Sequence, residues 1–194
     1  MKIVPHPAEG SVVTIEPLRT LAEVARVEAI LDCPRDRGLF ALGVNTALRA
    51  TDLLAVRADD IDWMRGTLCL REKKTRKKRT LPLNPHLMSL LAPLIPPDGV
   101  GYLFPSEKTG KPLSLSAWNN KIKLWCIRAN LRGNYGARTI RKTFARLQHE
   151  VFGVSILNIS IELNHSSLRE TYLYIGLTPP EQAEIFSNYI GGGA

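Results

Sequence analysis

The chain has 194 residues, room for one domain with a proper core, and 44% of them are apolar, which excludes a disordered polymer. Lysine and arginine number 26 against 18 aspartate and glutamate, and the net charge of +8 suits a polyanionic partner as readily as it serves solubility. Three scattered cysteines, Cys33, Cys69 and Cys126, form neither a disulfide framework nor a zinc-ligand pattern. The start, MKIVPHPAEG, lacks the apolar core of a signal peptide, and no segment has the length of a membrane span. A soluble, cytoplasmic protein is expected.

Residues 1–16 carry Pro5, Pro7 and Gly10, show no periodicity and read as a tail, with residues 17–194 forming one domain. Thr20 and Glu23 have the spacing of a capping box, and Leu21, Val24, Val27 and Ile30 follow at helical intervals, a face expected to meet the core. A second helix is predicted over about 34–45, with Leu39, Phe40, Leu42 and Val44 as its apolar content, and a third over about 50–56. The segments 67–71 and 79–83 flank a charged turn and predict a β-hairpin. Helices return over about 85–94, 116–130, 138–150 and 155–163, with Asn164 as a left-handed cap. Glycine and proline between 96 and 113 predict a loop around the apolar run Tyr102 to Phe104. Pro179 at N1 and Glu181 at N3 predict a last helix from about 178 to 190. The fold class is mainly α with a small antiparallel β-sheet (α+β).

Several polar groups suit chemistry on a phosphodiester. That linkage is shielded by its charge and has a poor alkoxide leaving group, so cleavage calls for cationic donors, an in-line nucleophile and an acid. Arg49 opens the third helix, where it either binds an anion or pairs with Asp52 at the surface. Arg138 and Arg141 stand three apart, so one helical face presents both. His165 is a donor near neutral pH or a helix-end cap. Tyr174 follows it by nine residues and offers a phenol, which becomes a nucleophile when a positive field lowers its pKa. Seven of the nine residues from Arg71 to Arg79 are basic, and Lys73, Lys74, Lys77 and Lys78 all compete as an acid for the leaving oxygen.

Together these groups resemble the catalytic domain of the tyrosine recombinase (phage integrase) family, over about residues 17–190. RDRGLFALGVNTALRATDLLAVRADDID resembles the family's first box, placing its arginine at Arg49 and its acid at Asp52. KTRKKRTLPL places the hairpin lysine at Lys74, counted from the Pro-Leu that ends the second strand. RTIRKTFA resembles the second box, with Arg141 as its arginine and Arg138 where the family most often has histidine. LNHSS places the third-box donor at His165, and Tyr174, rather than Tyr172, falls on the nucleophile. The resemblance implies a site-specific DNA recombinase that uses neither metal nor cofactor. Tyr174 would form a 3′-phosphotyrosine and release a 5′-hydroxyl, with Arg71, Lys73, Arg76, Lys77, Lys78, Arg79 and Lys142 contacting DNA. The implied partners are a double-stranded DNA recombination site and three further copies of the chain, docked through the last helix into a tetramer; nucleoid association would follow from binding DNA. Most relatives also carry an N-terminal DNA-clamping domain of roughly 100 residues, for which this sequence has no room. A fragment, or a compact recombinase like the fimbrial invertases, is expected. A DNA-binding regulator on the same fold is the alternative function, and a nicking-resealing activity the variant within the same chemistry.

Overall fold

A computed structural model describes residues 14–178. The α-helices in order are α1 (Leu21–Ala29), α2 (Pro34–Val44), α3 (Ala50–Leu53), α4 (Pro85–Leu91), α5 (Leu115–Arg128), α6 (Thr139–Glu150), α7 (Ile156–Leu163) and α8 (Leu168–Ile175). Between α3 and α4 lies an antiparallel sheet of β1 (Ile61–Asp62), β2 (Thr67–Arg71) and β3 (Lys78–Pro82), in that spatial order. The hairpin was legible, but β1 is two residues long, too short to show an alternating pattern.

Local chemistry sets the helix starts. Thr20, Asn84, Ser114, Ser155 and Ser167 each accept a backbone N–H of the first turn through their side-chain oxygens. Asn164 ends α7 at φ 53°, as expected of a left-handed cap. Glu23 reaches back to the Arg19 N–H rather than to that of Thr20, so the capping box closes one residue early.

Three expectations need correction. Leu21 is exposed, because the first turn of α1 projects past the core that buries Val27. The third helix stops at Leu53 instead of continuing to Val56, whose carbonyl accepts the Leu103 N–H at 3.0 Å while Ala58 donates to the Gly101 carbonyl. The apolar run in the glycine- and proline-rich loop thus competes with the helix for Val56 and wins. Residues 14–16, expected in a tail, are fastened down: Glu16 N–H donates to the Asn134 carbonyl at 2.8 Å, and Thr139 Oγ1 donates to the Glu16 carbonyl. The expected last helix lies outside the described residues.

Apolar burial divides between two clusters. The larger joins α1, α2, α4 and α5 to the sheet around Phe40, Leu68, Phe104, Trp118 and Trp125, with the three aromatic side chains of α2 and α5 packed edge to face. The smaller consists of Ala47, Ala145, Ile156, Ile159, Leu163 and Ile175, flanked by Phe144, Tyr172 and Tyr174. Helix α6 belongs to both, giving Ile140 to the first and Ala145 to the second. Among the described residues, no helix is long and apolar enough to cross a membrane.

Candidate active site

Where the two clusters meet, a cleft of about 550 Å³ is lined by Arg49, Lys74, Arg138, Arg141, His165 and Tyr174, together with Glu170. Segments more than a hundred residues apart supply these groups. Arg49 is the N-cap of α3, and Arg138 that of α6, on whose first turn Arg141 stands. His165 follows the left-handed turn at Asn164, and Tyr174 lies in the last turn of α8.

Arg141 is 8% exposed. Its Nη2 donates to the carbonyl of Leu163 at 2.8 Å, one of the carbonyls left over at the end of α7. Its Nη1 is buried with no hydrogen-bond partner among the described residues. A buried guanidinium N–H without an acceptor is costly, and an incoming anion would satisfy it. Burial lowers the Arg141 pKa, as do Arg49 and Arg79, while Tyr174 and Glu72 oppose them.

The rings of His165 and Tyr174 meet edge to face at 4.9 Å between centroids. His165 Nδ1 bonds Thr171 Oγ1 at 2.9 Å, and its Nε2 lies 4.0 Å from Glu170 Oε1. Burial lowers the His165 pKa against the opposing pull of Glu170, with Arg141 and Arg49 adding to the lowering. The unliganded imidazole is therefore neutral at pH 7. The positive field was expected to depress the pKa of Tyr174, and this needs correcting. Burial raises it, outweighing the lowering by Arg141, Arg138 and Arg49. Tyr172 faces elsewhere, edge-on to His149 in the smaller cluster.

The arginine–aspartate pairing considered for Arg49 is not what forms. Arg49 Nη1 donates to Glu72 Oε2 at 2.8 Å, and Asp52 Oδ1 instead accepts the backbone N–H of Lys73 at 2.9 Å. Two of the residues expected to contact DNA differ in setting from the other cations. Lys142 is buried, its ammonium 5.2 Å from the centroid of the Tyr174 ring, which removes it from the surface. Arg79 is committed to two carboxylates, Glu72 and Glu162. Arg71, Lys73, Lys74, Arg76, Lys77 and Lys78 are exposed along the hairpin, with Arg71 Nη1 bent back to the Arg76 carbonyl.

Two acidic residues at the site escaped the sequence reading. Glu170 accepts from both the N–H and the hydroxyl of Ser166 at 2.9 Å. The Ser167-x-x-Glu170 spacing of a capping box could have drawn attention to it. Glu72 is the single acid in the basic turn, an oddity that could have marked it as an ion-pair hub.

The model of the phage integrase family matches residues 19–180, and the chain belongs to that family, the tyrosine-type enzymes that break and rejoin DNA. It is similar to the probable integrase/recombinase YoeC of Bacillus subtilis (strain 168), with 30% identity over 166 residues covering 84% of this chain and 90% of that protein. To tyrosine recombinase XerA of Pyrococcus furiosus it is 28% identical over 191 residues, 92% of this chain and 64% of the relative. It spans 46% of the tyrosine recombinase XerC of Chlamydia caviae. The fold is that of the XerA recombinase crystal structure (TM-score 0.69, 20% identity, covering 94% of this chain and 66% of that one). It is also that of the catalytic domain of bacteriophage HP1 integrase (TM-score 0.61, 20% identity, 90% and 95%).

Proposed function

We infer that the chain cleaves and rejoins DNA at a specific site through a covalent bond to Tyr174. The observation that carries this reading is the convergence of Arg49, Lys74, Arg138, Arg141 and His165 on the cleft that Tyr174 also lines. Arg141 adds a buried donor that lacks an acceptor among the described residues. Solved relatives include XerH bound to its difH substrate in a post-cleavage complex, which supports double-stranded DNA as the partner here.

The scissile phosphate sits between the arginines, whose N–H groups bind its non-bridging oxygens and gain strength as charge builds there. The arriving anion favours the imidazolium of His165, in which both ring nitrogens donate. Tyr174 Oη attacks phosphorus, the bond to the 5′ oxygen breaks, and the phenolic proton is released to solvent. Lys74 protonates the departing oxygen, leaving a 3′-phosphotyrosine and a 5′-hydroxyl. The bond energy is retained in the phosphotyrosine, and the reverse attack rejoins the strand. Arg138 supplies charge but no base near neutral pH. Exchange between two duplexes would need four copies, docked through the segment of about 178–190.

Nicked suicide duplexes drawn from DNA flanking the encoding gene test this reading. The parent protein and Tyr172→Phe should form a denaturation-resistant adduct, and Tyr174→Phe should form none. An adduct that persists in Tyr174→Phe overturns the nucleophile. DNA binding without an adduct in the parent would favour the regulator.

A further inference from the structure

We propose that Glu72 is a positioning residue that fixes Arg49 and Lys74 relative to each other, an inference that rests on the cleavage reading above.

Glu72 follows the last residue of β2 and is 5% exposed in the most basic window of the chain. Its Oε2 accepts from Arg49 Nη1 at 2.8 Å and from Thr75 Oγ1 at 2.6 Å, and its Oε1 accepts from Arg79 Nη1 at 3.2 Å. Burial alone would raise its pKa, but the Thr75 hydroxyl and the two arginines outweigh it and hold the carboxyl below the usual range. The side chain is therefore charged at every pH of interest.

The same residue closes the turn through its backbone. Glu72 N–H donates to the Lys77 carbonyl at 3.0 Å, and its carbonyl accepts the Arg76 N–H at 2.9 Å. Lys74 stands inside that closed turn. On the other side, Asp52 of α3 accepts the Lys73 N–H. The hairpin acid thus holds the arginine that caps α3 while the acid of α3 holds the hairpin backbone, a reciprocal clasp between the two elements. The bond occupies Arg49 Nη1, leaving the other guanidinium N–H groups for phosphate. Arg79 extends the arrangement to Glu162 on α7. Without the Glu72 carboxylate, Arg49 and Arg79 would lose the negative charge between them, and the turn bearing Lys74 would lose its inward anchor at Thr75.

Misplacing a catalytic group by about 1 Å can cost about a hundredfold in rate. Glu72→Ala should slow single-turnover cleavage by about tenfold to a hundredfold at saturating DNA while Kd changes by less than about threefold. Glu72→Gln, which keeps an acceptor, should fall between it and the parent. A substrate with sulfur in place of the 5′-bridging oxygen removes the need for the lysine's proton. It should restore part of the Glu72→Ala rate, and the remainder is the Arg49 defect. Equal sulfur effects in parent and variant, or a Glu72→Ala rate equal to the parent's, overturn the proposal. NMR of guanidinium rotation tests the clasp without chemistry. Arg49 should rotate slowly in the parent and fast in Glu72→Gln, with Arg141 unchanged. An Arg49 signal indifferent to Glu72→Gln also overturns it. A parent that forms no adduct but shows the Arg49 change would sink the cleavage reading alone.

Discussion

His165 and Tyr174 touch, yet burial moves their pKa values in opposite directions, because it disfavours whichever form is charged. The histidine falls below its ordinary 6.5 and the tyrosine rises above its ordinary 10.0. For His165 the folded state binds fewer protons than the unfolded state. Stability is therefore intact above the unfolded value and is lost as pH falls through 6.5 toward the lower folded value. Melting curves between pH 5 and pH 8 should show this loss, and His165→Gln should flatten it. An equally steep curve in the variant would place the acid sensitivity elsewhere. The loss at Tyr174 begins only above pH 10, since its folded pKa is the higher one. At neutral pH the phenol therefore carries its proton.

At the next scale, helices α2 and α6 cross closely at Gly43. A Cβ there would lie 2.5 Å from Ile140 Cγ2 and 3.0 Å from Leu53 Cδ2. Ile140 is buried and directly precedes Arg141, so this contact sets how deeply the second box sits. Gly43→Ala should destabilise the protein by about 1–3 kcal/mol through overpacking. Combining it with Ile140→Ala, which opens space at the same point, should cost less than the two separate losses added together. Strict additivity in denaturant melts would show that the helices part freely. Such a contact could not be read from the sequence, where Gly43 is one small residue in an apolar helix. The helices themselves were legible because caps and spacing are local: Ser155, Asn164 and the run from Thr139 to Glu150 declare themselves. So were the groups around the cleft, since motif order fixes Arg49, Arg141, His165 and Tyr174. Partners across the chain were not. Glu72 at Arg49, Glu162 at Arg79 and Tyr174 above Lys142 are products of tertiary packing, which pairs charges irrespective of their separation in sequence.

Over the whole molecule, the groups lining the cleft are divided between two cores, with α6 and its Arg141 shared by both. Arg49 and the hairpin are built on the larger cluster, whereas Tyr174 rides on α8, whose apolar anchors are Thr171's neighbour Tyr172, Ile175 and the few residues of the smaller one. Beyond those contacts, α8 is tied back by Arg146 Nη1 to the Ile175 carbonyl and by His165 to Thr171. Regions with little buried apolar area open at a fraction of the global unfolding free energy. Amide hydrogen exchange should therefore release α8 well before α2 or α5, and a common exchange rate for all three would refute the division. On the cleavage reading proposed above, that open state would carry the Tyr174 phenol away from the arginines of the cleft. On that reading the seam between the two cores would act as a safety catch, letting the protein rest on DNA unarmed.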